Sequence, residues 1–73
     1  MDNIEKILDL MNGYGYDCFI NDNSIYYSKD GFTHNVNIKG IEDLLSYCEL
    51  SDITAIMKEL HKQKKLITWE QND

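Results

Sequence analysis

The fold is decided by residues 16–39, which read YDCFINDNSIYYSKDGFTHNVNIK. Apolar and polar residues alternate here with a period of two, as in strands whose successive side chains point to opposite faces. Residues 21–23 and 29–31 are typical turn sequences, because Asn, Asp and Gly tolerate positive φ. The alternation is clearest in the third predicted strand, residues 32–39. The stretch therefore predicts a three-stranded antiparallel meander.

A helix is predicted before this sheet. Apolar residues recur at i, i+3, i+4 and i+7, namely Ile4, Ile7, Leu8 and Met11. This spacing is typical of an amphipathic helix, here from about Asn3 to Met11, with Asp2 or Asn3 as its N-cap.

Two further helices are predicted after Gly40, which we expect to end the third strand. Helical spacing recurs in Ile41, Leu44, Leu45 and Cys48, and again in Ile53, Ile56, Met57 and Leu60. The first of these helices should end near Glu49, and Ser51 is a suitable N-cap for the second. Residues 64–65 are expected to turn the chain, and residues 66–70 to form a short last strand or an extended tail. The sum is an α+β domain with helices on one face of a sheet.

Length and composition favour one domain. The chain has 73 residues, of which 42% are apolar, enough for one small core and too many for a disordered acidic tail. We therefore treat residues 1–73 as a single small acidic domain. The sequence has no run of about 18 apolar residues and does not open with a basic stretch followed by an apolar one. We expect a cytoplasmic protein without membrane association.

Charge is distributed unevenly along the chain, whose net charge is −6. Residues 1–53 carry ten carboxylates and three lysines, whereas residues 54–73 carry four lysines and three carboxylates. An acidic surface repels phosphate and attracts basic partners, which disfavours direct nucleic-acid binding. The chain also lacks arginine, the residue best suited to bidentate phosphate recognition.

No constellation in the sequence predicts catalysis, a metal site or a cofactor. Zinc sites usually draw their ligands in close pairs, whereas the candidates are scattered singly: Cys18, His34, Cys48 and His61. We expect His34 to be half-buried and hydrogen-bonded, His61 to lie on the surface, and both thiols to stay reduced. The carboxylate pairs fall in expected turns and on solvated helix faces, where nothing separates their pKa values.

The end of the chain offers an alternative. Residues 51–60, followed by residues 64–69, resemble the helix and wing strand of winged-helix domains. Its lysines would suit the phosphate contacts of a small DNA-binding regulator; they are Lys58, Lys62, Lys64 and Lys65.

In its layout the chain resembles the small acidic proteins that phages use against host nucleic-acid machinery, including some anti-CRISPR proteins. The shared features are a short N-terminal helix, a meander with Asp-rich and Asn-rich turns, C-terminal helices, no Pro and a strong negative charge. The resemblance implies that acidic side chains stand in for DNA phosphates on a basic protein groove.

The leading hypothesis is a non-enzymatic protein-binding module, an acidic inhibitor of a basic, nucleic-acid-binding host protein that acts by DNA mimicry. The expected contacts are acids of the turns and of the second helix, with one aromatic anchor: Asp17, Asp22, Asp30, Glu42, Asp43 and Tyr26. Tyr26 and Tyr27 are neighbours in a strand, so one should meet the core and the other solvent. A third alternative is a homodimer closed by Tyr26, Trp69 or Phe19.

Overall fold

The computed structural model describes the backbone of residues 2–71 and the side chains of residues 2–63. Its elements, in chain order, are α1 (Asn3–Gly13), β1 (Asp17–Asn21), β2 (Ser24–Lys29), β3 (Phe32–Asn37), α2 (Ile38–Leu45) and α3 (Leu50–Gln71). The strands form one antiparallel sheet in the order β1-β2-β3, and the helices pack against one of its faces. The predicted α+β layout of helix, meander and two further helices is confirmed.

The first helix forms where its apolar spacing predicts. Asp2 precedes α1 in an extended conformation, and its Oδ1 accepts a hydrogen bond from the N–H of Ile4 at 3.0 Å. This bond supplies one of the partners that the first helical turn lacks. The buried stripe of α1 consists of Ile4, Ile7 and Met11. Gly15, with φ of 96°, then takes the chain into the sheet, in a conformation that favours glycine.

The two turns of the meander fix its register. Each consists of two residues with positive φ, which are Asp22 (51°) and Asn23 (62°), then Asp30 (56°) and Gly31 (78°). Positive φ at both central positions is typical of the type I′ turn, whose twist matches that of the flanking strands. Because such a turn pairs the residues on either side of it, every later pair of the hairpin follows from its position.

The third strand is shorter than predicted. β3 stops at Asn37 and α2 begins at Ile38, whereas the alternating pattern continued the strand to Lys39 and placed the break at Gly40. The reason is the Asn37 side chain, whose Oδ1 accepts hydrogen bonds from the N–H groups of Lys39 at 2.9 Å and Gly40 at 3.3 Å. Because of this N-cap, the helix begins before Ile41, where the helical spacing of apolar residues starts. α2 also ends earlier than predicted, at Leu45.

The last helix starts slightly earlier than predicted. α3 begins at Leu50, so the predicted cap Ser51 already lies inside it. Asp52 Oδ2 accepts a hydrogen bond from the N–H of Glu49 at 3.3 Å. This is the returning half of a capping box, with the acid in the first turn where the helix dipole favours it.

The end of α3 corrects the sequence interpretation. The expected turn at residues 64–65 and the expected strand at residues 66–70 are wrong, because the backbone stays helical to Gln71. Residues 50–71 contain no Gly or Pro, the two residues that most disfavour a helix interior. Lys, Gln and Leu in this segment are good helix formers.

The core lies between the inner face of the sheet and the helices. Its buried apolar residues are Ile4, Ile7, Met11, Tyr16, Ile25, Tyr27, Ile41, Ile53 and Met57. Tyr27 has no solvent exposure, and its Oη donates a hydrogen bond to the carbonyl oxygen of Met57 at 2.8 Å. The central strand is thus tied to α3 by a buried hydrogen bond as well as by packing. Tyr26 lies on the other face, as predicted for adjacent strand residues.

Candidate interaction surface

The outer face of the sheet points away from the helices. Its residues alternate along each strand with those that face the core. They are Asp17, Phe19, Asn21, Ser24, Tyr26, Ser28, Thr33, Asn35 and Asn37. All nine side chains are exposed or half-buried, which makes the outer face the open side of the domain.

Two stacked aromatic rings occupy the middle of the outer face. Phe19 and Tyr26 pair across β1 and β2, and their rings lie 5.0 Å apart between centroids with only 5° between their planes. Phe19 is 53% exposed and Tyr26 is half-buried. The stack stabilises the hairpin, yet it leaves Phe19 more than half exposed to water. This aromatic pair is therefore an apolar surface that a partner can bury.

The immediate neighbours of the aromatic pair are polar, and all except Asp17, two residues before Phe19 on β1, are uncharged. Asn35 lies beside Tyr26 on β3, and the hydroxyls of Ser28 and Thr33 share a hydrogen bond of 2.6 Å. Covering such groups costs less free energy than covering charges, since they can form hydrogen bonds with a partner. The centre of the outer face is thus suited to burial, and the charges lie at its ends.

The predicted acidic contacts are not gathered in one patch. Asp22 lies in the β1–β2 turn and Asp30 in the β2–β3 turn, at opposite ends of β2. The six residues of β2 separate these turns by roughly 20 Å at about 3.3 Å per residue. Asp17 pairs with Ser28 and so lies toward the end that holds Asp30. The acids of the hairpins therefore do not form one continuous acidic surface.

The two predicted acids of α2 belong to the end of the sheet that holds Asp22. The N–H of Ile38 donates to the carbonyl oxygen of Asn23 at 2.9 Å, which fixes the start of α2 against the β1–β2 turn. Glu42 and Asp43 are exposed on this helix. The acids therefore form two groups, one toward each end of the sheet.

Lysines meet one of these groups. A cavity of about 350 Å³, here called the lysine cavity, lies between the β2–β3 turn and α3. Its charged lining consists of Lys29, Lys58 and Lys62 with Asp30 and Glu59. Asp30, predicted to contact a basic partner, thus already lies among the protein's own lysines.

Two of these lysines already have partners within the fold. Lys58 Nζ lies 3.6 Å from the ring centroid of Tyr14, a cation–π contact. Lys29 Nζ donates a hydrogen bond to the carbonyl oxygen of Tyr14 at 3.0 Å. Both therefore hold the connection between α1 and β1. Lys62 is exposed, and the side chains of Lys64, Lys65 and Trp69 lie outside the described ones. The winged-helix resemblance lacks its wing, because residues 66–70 are helical.

Both histidines pack against aromatic side chains of the fold. His61 was expected on the surface, but it is buried, with only 4% of its area exposed. Its Nε2 lies 3.0 Å from the carbonyl oxygen of Phe32, and its ring contacts Tyr16 and Phe32 edge-on. The sequence interpretation failed because His61 follows the core stripe of α3 by one helical turn from Met57, and its polarity concealed that position. His34 is half-buried, as predicted.

The shifted pKa values all favour neutral side chains. Burial, and then the Asp17 carboxylate, raise the pKa of the Cys18 thiol. Burial, and then Asp30, raise the pKa of Tyr16. Burial first, with smaller effects from Tyr16 and Cys18, raises the pKa of Tyr27 far above its ordinary value. A nucleophilic thiol needs the opposite shift, so these groups act as packing side chains. Cys18 and Cys48 are both free thiols.

Neither a metal centre nor a membrane-spanning helix occurs in the part of the chain that the structure describes. Among the side chains of residues 2–63, no group of three His, Cys, Asp or Glu is placed to hold a metal ion. No helix within the described part of the chain combines the length and hydropathy needed to cross a bilayer.

Phe19 was named for the homodimer alternative but was missing from the contacts predicted for a basic partner. Its partner follows from the β1–β2 turn, because a two-residue turn at Asp22 and Asn23 places Phe19 opposite Tyr26. The turn was predicted one residue too wide, as residues 21–23, which left the register open. Turn length was thus the signal that could have found the aromatic pair.

Comparison with known proteins adds no relative. The sequence matches no protein-family model, and searches of curated proteins and of solved structures give no significant match.

Proposed function

We propose that this chain is a non-enzymatic protein-binding module that contacts its partner through the outer face of the sheet. The observation that carries the proposal is the aromatic pair, which is stacked in register at the centre of an open face with Phe19 53% exposed. Asp17 is the one charged residue among the nine of the outer face. Aromatic side chains surrounded by polar groups are the usual anchors of protein interfaces. The pair stabilises only one hairpin in the isolated chain, so its remaining exposed area is available to a partner.

Charge suggests the chemistry of that partner. The net charge of −6 favours a basic protein, and acids at both ends of the sheet would accelerate its approach and orient it. Because the acids form two separated groups, they serve as a rim around the aromatic pair. In this proposal the aromatic pair supplies most of the affinity, and the acids supply rate and selectivity.

The proposal is tested by immobilising the chain and using it to capture a partner protein from a lysate, at low and at high salt. The double variant Phe19→Ser with Tyr26→Ser should lose the captured protein at both salt concentrations. Tyr47→Ser is the matched control, because Tyr47 is 76% exposed and lies outside the sheet. Circular dichroism checks that each variant is folded. If the double variant retains its partner, the outer face is not the contact surface.

A second variant separates the role of charge from that of the aromatic pair. Charge reversal to Lys at Asp22, Asp30, Glu42 and Asp43 should weaken capture strongly at low salt and little at high salt, where the rim is already screened. Equal capture by this variant and the unchanged chain at low salt would contradict a basic partner.

The narrower proposal is an inhibitor that occupies a nucleic-acid-binding groove, as the layout resemblance to phage inhibitors implies. It predicts that duplex DNA displaces the captured protein from the immobilised chain. A mobility-shift assay with the isolated chain is the control, because direct DNA binding would produce the same displacement. If DNA displaces the captured protein but is not shifted by the isolated chain, inhibition by competition is supported. If DNA does not affect capture, the inhibitor proposal is wrong.

A further inference from the structure

The edge of β1 carries backbone groups that no strand in the described structure pairs. β1 is an outer strand of the sheet, hydrogen-bonded to β2 on one side only. A two-residue turn makes Asn21 and Ser24 a hydrogen-bonded pair, and such pairs then alternate along the ladder. Phe19 accordingly directs its N–H and C=O toward β2. Cys18 and Ile20 direct theirs away from the sheet.

The side chains of β1 do little to protect this edge. Natural edge strands are usually blunted by Lys, Pro or a covering element. β1 contains neither Lys nor Pro, and its side chains Phe19 and Ile20 are 53% and 48% exposed. The other outer strand, β3, packs against both α2 and α3. An exposed apolar edge of this kind is a template for pairing with another extended chain.

An acidic groove runs beside this edge. It has a volume of about 300 Å³, lies between α1 and β1, and is lined by Glu5, Leu8, Asp9, Asn12 and Cys18. Glu5 and Asp9 are one helical turn apart and exposed, so they stand on the same side of α1. A strand added to β1 would direct alternate side chains over this α1–β1 groove and the remaining ones toward the aromatic pair.

We propose that β1 accepts an extended segment of a basic protein as a fourth strand of the sheet. Lys or Arg side chains of the segment would lie over the α1–β1 groove near Glu5 and Asp9. Apolar side chains at the alternate positions would extend the row of Tyr26 and Phe19. This inference rests on the proposed function, since it names how part of the protein partner is held. A second copy of this chain fits less well, because pairing through β1 would bring two acidic α1 helices together.

The direct test uses a synthetic probe, the peptide acetyl-Lys-Val-Lys-Phe-Lys-Val-Lys-amide, and amide hydrogen exchange measured by NMR. Exchange at the N–H groups of Cys18 and Ile20 should slow at least tenfold when the peptide is added. Exchange at Phe19, already bonded to β2, should change little. Two control peptides should give no protection: one with Glu for every Lys, and one N-methylated at alternate residues so that its backbone cannot pair.

Variants of the chain make the test independent of the probe. Ile20→Pro removes an outward N–H without removing a ladder bond to β2, so it should abolish peptide binding in a domain that remains folded. Glu5→Lys with Asp9→Lys should weaken peptide binding at least tenfold at low salt. Glu42→Lys with Asp43→Lys, the same charge change on α2, should weaken it much less.

Several results would overturn the inference and leave the proposed function standing. One is peptide binding without protection of Cys18 and Ile20. Another is capture of the partner that is lost with the Phe19 and Tyr26 variants but unchanged by Ile20→Pro. Protection of Cys18 and Ile20 in the isolated chain, together with a dimer mass in light scattering, would assign the edge to a second copy instead. Failure of the Phe19 and Tyr26 variants to affect capture overturns the outer-face proposal, whatever the exchange experiment gives.

Discussion

Replacing Tyr27 by Phe tests how α3 is attached to the sheet. The substitution removes one oxygen atom from a side chain with no solvent exposure, and with it the 2.8 Å hydrogen bond from Tyr27 Oη to the carbonyl oxygen of Met57. The ring stays, and so do its edge-on contacts with Tyr16 and His34. The perturbation is therefore confined to a single hydrogen bond between β2 and α3.

The expected cost is about 1 kcal/mol of unfolding free energy. A buried neutral hydrogen bond contributes roughly 0.5–1.5 kcal/mol net, and the cost rises toward 3 kcal/mol only when a buried partner is left unsatisfied. Met57 lies inside α3, where its carbonyl also accepts the helical bond from the residue four positions later. It stays satisfied, so the lower figure applies. In a domain of this size, 1 kcal/mol lowers the melting temperature by about 4–8 °C.

Urea denaturation followed by circular dichroism measures the difference directly. The matched control is Tyr47→Phe, which removes the same oxygen from a residue that is 76% exposed and should change the unfolding free energy by less than about 0.5 kcal/mol. A larger loss for Tyr27→Phe than for Tyr47→Phe supports the reasoning. Equal free energies for the two variants would refute it, since the β2–α3 hydrogen bond would then contribute nothing.

Four further outcomes are expected from local features of the fold. The pKa values of Tyr16 and Tyr27 are raised on folding. Their contribution to stability is therefore complete below the unfolded tyrosine pKa of about 10 and is lost as pH rises above it. The urea concentration at the unfolding midpoint should fall between pH 9 and pH 11, and it should fall less steeply for Tyr27→Phe. Gly31→Ala should lower the unfolding free energy by about 1 kcal/mol, because φ at this position is 78°. The added Cβ meets no atom within 4 Å, so the cost comes from the backbone conformation alone. Gly40→Ala, inside α2 and equally unobstructed, should instead stabilise by about 0.5–1 kcal/mol, and thermal melts of the two alanine variants should shift in opposite directions. Asn37→Ala should cost about 1 kcal/mol by removing the cap of α2, measured by the same melts.

The turns show how local chemistry determines the geometry of the proposed contact surface. Asp22-Asn23 and Asp30-Gly31 adopt positive φ, as their residue types favour. Once each turn is known to be two residues long, the pairing of Phe19 with Tyr26 follows without any further information. The aromatic pair was therefore accessible from the sequence, and only the turn width concealed it.

The acids and the histidine show where local patterns stop being informative. Asp22 and Asp30 occur in similar turns, but the two turns lie at opposite ends of the sheet. Asp30 lines a cavity together with Lys58 and Lys62 of α3. His61 is buried by a contact with Phe32, which is 29 positions away in the chain. Neither outcome depends on the residues nearest in sequence, because both follow from how α3 crosses the sheet.

Strand periodicity, helical spacing and turn preferences act over a few residues, so they were enough to predict the α+β layout, the meander and the opposite faces of Tyr26 and Tyr27. Only the tertiary packing determines which acids lie together, places Lys58 of α3 on the ring of Tyr14, and sets the edge of β1 beside an acidic groove. Those features arise from the packing of segments far apart in the chain, where small differences in buried area select one arrangement that no local pattern records.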